Sequence, residues 1–254
     1  MDFESWQDYQ TYATTVKNNR RYIFNDQVDN FLKVVSHTSQ DRLKYLEEGT
    51  TLWRAQKGFN LKAYKINIDE EIDFECPYPP DRMKPLHYRA TEGRANPKGI
   101  PFLYLSDCKK TAMSEVRPWL GAVLSLGIFK VIKRLSIIDC SMSISGSKEI
   151  FLENPSPEIR EKAVWRDINE AFSKPVQNNE DRSEYVPTQI LAELFRDIGF
   201  DGIAYKSLLG EGLNIVLFNL DDVNVEKAFL HKVKSLKFEF DEHSSPFNSV
   251  TYKS

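Results

Sequence analysis

Apolar residues near the start of the chain fall at three- and four-residue intervals. Phe3, Trp6, Tyr9, Ala13 and Val16 make one such stripe, and Val28, Phe31, Leu32 and Val35 make a second after Asn25. That spacing predicts two amphipathic helices, the second capped by Asn25, whose side chain can accept from a free backbone N–H. Leu43 and Leu46 extend the reading to a third short helix, ended by Gly49. From Thr50 the period changes. TTLWRAQ reads as a strand, with Trp53 and Arg54 on opposite faces because side chains alternate. Ala63, Lys65 and Asn67 alternate with Tyr64, Ile66 and Ile68 in another short strand, and the proline-rich run from Cys76 to Pro80 is a loop.

The stretch from Gly93 to Arg117 combines loop, strand and helix. Asn96-Pro97 and Lys98-Gly99 favour bends, Pro101 to Ser106 has the bulk of a buried strand, Asp107 is placed to cap a helix carrying Thr111, Ala112, Met113 and Glu115, and Pro118 stops it. Further on, Ala122 to Val131 reads as a central strand and Ile137 to Asp139 as another, with Ser141 to Ser147 a loop. Ser156-Pro157 opens a helix, Asn178 to Glu184 is polar, and Pro187 to Ile198 is a helix stopped by Gly199. GFDGIAY and Asn214 to Phe218 are strands around a glycine-containing loop, Lys206 to Gly212, and Val233, Leu236, Phe238 and Phe240 suggest a final edge strand. Strands with interspersed helices and no regular alternation point to an α+β fold.

Composition narrows the function classes. The 254 residues are 41% hydrophobic and 28% charged, enough for a sizeable core, and the net charge of −3 argues against a general nucleic-acid-binding surface. Arg82, Lys84, His87, Arg89 and Arg94 form a local basic cluster, read as a solvated loop or an attractor of phosphorylated ligands. Cys76, Cys108 and Cys140 are few, odd in number and lack metal-ligand spacing, which suits reduced thiols in a cytoplasmic protein. No apolar run spans a bilayer, and the acidic, aromatic opening is unlike a secretory signal.

Three separated pieces resemble the RES domain. They are GRANPKG followed by YLS and the TAMSEVR helix, then LWRA upstream with Arg54, then GFDGIAYKS downstream with Ser207. The resemblance runs from about Gly49 to Lys232 and sets residues 1–48 apart as a helical N-terminal extension to a RES domain over 49–254. It implies an ADP-ribosyltransferase-like fold, a split β-sheet core with surrounding helices, and an NAD+-degrading toxin of a toxin–antitoxin system. The implied NAD+ site comprises Arg54, Tyr104, Glu115 and Ser207, with Arg94 and Asn96 supporting the loop or touching phosphate. NAD+ would be substrate, with no metal and no bound cofactor. An antitoxin of helix-turn-helix type would block the cleft; a homo-oligomer is left open, with no role for nucleic acid or membrane.

The residue chemistry is consistent with those roles. Cleaving the nicotinamide–ribose bond develops positive charge on the ribose and needs no strong acid, because nicotinamide leaves neutral. Glu115 can stabilise that charge, Arg54 can fork onto the diphosphate, and Tyr104 can stack or cap the ribose. By residue type alone, Arg54 is equally an exposed strand arginine in an ion pair, Glu115 a solvated helix carboxylate or a partner of Arg117 or Lys110, Tyr104 a core aromatic and Ser207 a turn residue. Water or phosphate as acceptor gives a glycohydrolase or a phosphorylase. ADP-ribosyl transfer onto a macromolecule, with Lys206 to Gly212 as the acceptor-binding loop, and a non-catalytic nucleotide-binding module are the alternatives. A nuclease lacks an acidic cluster or His pair, and Cys108 with His87 is a weak nucleophilic pair.

Overall fold

A computed structural model of the chain describes residues 1–66, 71–86, 89–142, 151, 153–174, 182–237 and 239–240. The expected strand residues Asn67 and Ile68, most of the loop expected over Ser141 to Ser147, the first part of the polar stretch from Asn178, His87 of the basic cluster, and Phe238 lie outside these.

Both opening helices form. α1 covers Asp8–Asn18 and α2 covers Asp26–Thr38, where the Asn25 side chain accepts from Val28 N at 3.1 Å. The third segment is not a helix. A 3-10 turn, Ser39–Arg42, leads into a strand, β1 (Leu43–Leu46), that pairs antiparallel with a later strand, Leu43 opposite Ile138 and Leu46 opposite Leu135. Four residues of mixed polarity carry no period of their own, so the open edge of the apolar strand beside them decides the conformation.

The chain continues through β2 (Thr51–Lys57), β3 (Asn60–Lys65), β4 (Glu71–Cys76), the single turn α3 (Pro80–Met83), β5 (Leu103–Ser106) and α4 (Lys109–Glu115). Then come β6 (Val123–Val131), β7 (Leu135–Asp139), α5 (Pro157–Ser173), α6 (Val186–Asp197), β8 (Gly202–Lys206), β9 (Leu213–Leu217) and β10 (Val223–Lys232). β3 and β4 form a separate hairpin; the other eight strands make one sheet in the order β1-β7-β8-β9-β5-β2-β6-β10. The terminal edge strand therefore sits at Val223–Lys232, before the expected one, and Val233 to Lys237 is not strand. A register shift between Val225 and Lys227 breaks the alternation, which hides β10 from a period-two reading.

The sheet is nearly divided. β2 pairs with β6 along its whole length, from Thr51 opposite Lys130 to Lys57 opposite Leu124, but meets β5 only where Trp53 faces Ser106. One half is thus β1-β7-β8-β9-β5 and the other β2-β6-β10. Among the described strands, only β7 and β8 run parallel. Along β8 and β9 successive residues go to different cores. Ile203, Tyr205, Val216 and Phe218 pack in a core with Val16, Phe31, Trp165, Phe172 and Phe195 from α1, α2, α5 and α6. Ala204, Ile215 and Leu217 join a second core that draws Leu52, Phe129 and Val223 from the other half. Residues 1–48 share the first core and supply the edge strand β1. The chain is α+β, with a large mixed sheet and six helices among the described residues, and the split sheet matches the ADP-ribosyltransferase-like expectation.

Candidate active site

The division between the half-sheets is where the candidate residues gather. Arg54 is on β2, Tyr104 on β5 and Glu115 at the end of α4, which packs over β2 through Ala112 against Ala55 and Leu126. These three side chains, with Arg94, Tyr205 and Asn214, line a cleft of about 290 Å³.

Glu115 is held from below. Its Oε1 accepts from Ser207 Oγ at 2.8 Å and from Asn214 Nδ2 at 2.7 Å. Both donors are buried, and Ser207 Oγ in turn accepts from Leu209 N at 3.0 Å. Among the described residues no protein donor reaches Oε2, so one carboxylate oxygen is fixed and the other is left for a ligand. Asn214 lies on β9, opposite Ser106 on one side and Tyr205 on the other. The hydrophobic pattern reads Asn214 to Phe218 as plain strand and does not single out Asn214. The available signal was an amide inside an apolar run, which must find a partner when buried.

The base of α4 is tied to β9. Cys108 N donates to Ser106 Oγ at 3.2 Å, Ser106 Oγ donates to Leu213 O at 2.9 Å, and the Thr111 hydroxyl donates to Glu211 O. Asp107 does not cap the helix: its Oδ1 accepts from Leu213 N at 2.8 Å, and Cys108 occupies the cap position without a side-chain bond. The helix ends at Glu115, ahead of Pro118, and Arg117 adopts φ of 45°, in the left-handed region.

Among the described residues no carboxylate pairs with the Arg54 guanidinium. Nη1 donates to Tyr104 O at 3.0 Å, while Nε is buried without a partner. Burial lowers its pKa to about 10, so it stays protonated at neutral pH. An unpaired cation in a partly closed cleft is costly in the empty protein and suits an anionic ligand.

Tyr104 is fixed by the Gly93–Gly99 loop. Its hydroxyl donates to Asn96 Oδ1 at 2.7 Å and accepts from Ala95 N at 3.0 Å. Burial pushes its pKa well above the usual phenol value, so it is neutral. Asn96 is buried, with Nδ2 within 3.1 Å of the carbonyls of Thr91, Pro97 and Ile100. It therefore supports the loop behind Tyr104 and does not line the cleft. A Cβ on Gly93 would come within 2.5 Å of the Tyr104 hydroxyl, so any larger residue there must displace the phenol. Gln189 of α6 fastens the loop by donating to Gly93 O and Asn96 O, each at 3.0 Å. Arg94 lines the cleft against the Tyr205 hydroxyl, its Nε donating to Lys174 O at 3.1 Å.

Arg54, Tyr104, Glu115 and Arg94 thus converge on one hollow, with Ser207 positioning Glu115 and Asn96 positioning Tyr104. Cys108 does not line it, and His87 lies outside the described residues. Among the described residues no group of three or more His, Cys, Asp or Glu is placed to hold a metal ion, and no helix is long and apolar enough to cross a membrane.

The family model of the RES domain matches residues 71–241, and the chain belongs to that family. Arg54 precedes the matched span, yet the fold brings it to the residues within it. A chain in the crystal structure of the M. tuberculosis MbcT–MbcA toxin–antitoxin complex is similar at 16% identity and a TM-score of 0.41, over 79% of this chain and 92% of that one. No match is found among curated proteins.

Proposed function

We propose that this protein consumes NAD+, breaking the nicotinamide–ribose bond and passing ADP-ribose to water or phosphate, and that it acts as a cytoplasmic toxin restrained by an antitoxin protein. The observation that carries the reading is a single cleft holding an unpaired guanidinium, Arg54, and a carboxylate, Glu115, with one oxygen uncommitted. A dinucleotide with a diphosphate and a ribose next to a cationic base has the matching groups. Family membership supports the same substrate class.

In the reaction the C1′–N bond breaks and its electron pair goes to the pyridinium nitrogen, so nicotinamide leaves neutral. Glu115 Oε2 accepts from a ribose hydroxyl and opposes the positive charge growing on C1′. Ser207 and Asn214 keep the carboxylate from turning away, so no reorganisation is needed as the charge develops. Arg54 holds phosphate, and Tyr104, neutral and fixed at its hydroxyl, offers its ring as a wall for the base. The acceptor oxygen then bonds C1′, and with water one proton is released to solvent. The cleft volume, near the lower end of ligand sites, suits the nicotinamide–ribose half.

The Lys206–Gly212 loop, the acceptor-binding segment of the macromolecular alternative, is exposed from Leu208 to Gly212. It is folded onto α4, with Gly210 against Thr111 and Gly212, at φ of +91°, against Asp107. The test is to incubate purified protein with NAD+ in the presence and absence of phosphate and to identify products by mass. Nicotinamide with ADP-ribose marks water as acceptor, nicotinamide with phosphorylated ADP-ribose marks phosphate, and intact NAD+ in both refutes the reading.

A further inference from the structure

α4 has two working faces. Ala112, Glu115 and Val116 face the cleft, whereas Lys110, Met113, Ser114 and Arg117, three and four residues apart, face away from it into a second, larger groove of about 690 Å³. The other wall is the end of β10 and the extended segment after it, with Lys232, Lys234 and Lys237. No carboxylate lines this groove. Among the described residues Lys110, Arg117, Lys232 and Lys234 have no ion-pair partner, while Lys237 meets the exposed Glu239. The floor is apolar: Met113, Leu124, Leu209, Val233 and Leu236. His231 Nε2 is buried there without a partner.

We propose that this groove is a docking site for an acidic, leucine-bearing peptide segment of a protein partner, separate from the NAD+ cleft. Charge complementarity selects the sign of the partner, since a chain of net charge −3 places these unpaired cations on both walls of one groove. The apolar floor selects a peptide over a nucleic acid, because no Phe, Tyr or Trp side chain lines the groove to stack a base. A peptide can place aliphatic side chains on the floor and carboxylates on the rim, the arrangement of a core with a polar surround. The site also borders the carboxylate machinery. Leu209 lines the groove, and its N–H donates to Ser207 Oγ, which donates to Glu115. An occupant pressing on Leu209 therefore touches the support of Glu115 without entering the cleft.

The test uses full-length protein and three fluorescein-labelled probes: a 16-residue peptide of glutamates and leucines, a peptide in which serine replaces each leucine, and an oligothymidylate. Anisotropy is read at low salt with wild type, Lys232→Glu/Lys234→Glu and Leu236→Ser, all three being exposed positions, with melting curves to confirm folding. The expected result is saturable binding of the leucine-containing peptide, weakened about tenfold or more in each variant, with weaker binding of the other two probes. Equal binding of the serine peptide, tighter binding of the oligonucleotide, affinity unchanged in the variants, or no binding to folded wild type would each overturn the proposal. None of these readings depends on NAD+ turnover, so the inference stands or falls apart from the reaction.

Discussion

The Ser207 hydroxyl donates to Glu115 Oε1 at 2.8 Å across 92 positions of sequence, and Asn214 Nδ2 donates to the same oxygen at 2.7 Å. β8 ends just before one donor and β9 carries the other, so two neighbouring strands aim at the last residue of α4. The arrangement makes the carboxylate part of the sheet's rigidity. Removing either donor leaves the cleft intact but frees Glu115 to rotate.

Ser207→Ala and Asn214→Ala are accordingly expected to lower kcat by about ten- to a hundredfold each, the range for a hydrogen bond to a charged group, with KM for NAD+ little changed. Their effects should not add, because both act through one oxygen. Asn214→Asp should be worse than Asn214→Ala, since it sets a second carboxylate against Glu115. Steady-state nicotinamide release across these variants and the double variant checks the pattern; a rise in KM with kcat preserved would place the pair in binding instead.

Arg54 should oppose stability while serving the ligand. Its guanidinium is desolvated and meets no carboxylate among the described residues. Arg54→Met, which keeps the stem and removes the charge, is expected to raise the melting temperature of the ligand-free protein by about 2–4 °C, the shift for about 1 kcal/mol in a domain of this size. The same variant should bind NAD+ at least about tenfold more weakly. Scanning calorimetry with and without NAD+ measures both, and a lower melting temperature in the variant would contradict this view of the residue.

Gly93→Ala tests the loop behind Tyr104. The added methyl meets the phenol oxygen, whose hydrogen bonds to Asn96 and Ala95 must then give way. A loss of about 1–3 kcal/mol is expected, the cost of stranding buried polar groups, together with a raised KM. Denaturant unfolding of the variant reads the first and initial rates the second.

Alkali should reach the buried phenols late. Burial pushes Tyr205 up to about 12, against the nearby positive charge of Arg94, and pushes Tyr104 further. Because these folded-state values exceed that of a free phenol, about 10, their contribution to stability is complete below pH 10 and is lost as pH rises through 12. Absorbance of phenolate against pH should show the buried tyrosines ionising only as circular dichroism reports unfolding. Buried tyrosines ionising near pH 10 in a folded protein would contradict the burial.

Much of this site was legible in the residues. The strand bearing Arg54, the Tyr104 strand and the Glu115 helix follow from period and turn chemistry, and the motifs tie Ser207 to them. What escaped has physical reasons. β1 is decided by the open edge of β7, not by its four residues, and β10 is masked by its register shift. Asp107 looked like a cap because its side chain seeks a nearby N–H, and the one it finds belongs to Leu213, 106 positions on. Asn214 sits in a run that patterning assigns wholly to core, and only the fold shows that its partner is Glu115.

The central claim is that Glu115 acts on the bond and Arg54 on the grip. Single-turnover release of nicotinamide, measured beside NAD+ binding by calorimetry, separates the two in Glu115→Gln. The prediction is a rate lower by about a hundred- to a thousandfold, as for loss of one preorganised electrostatic contact, with affinity for NAD+ within about threefold of wild type. Release at the wild-type rate in this variant would contradict the account.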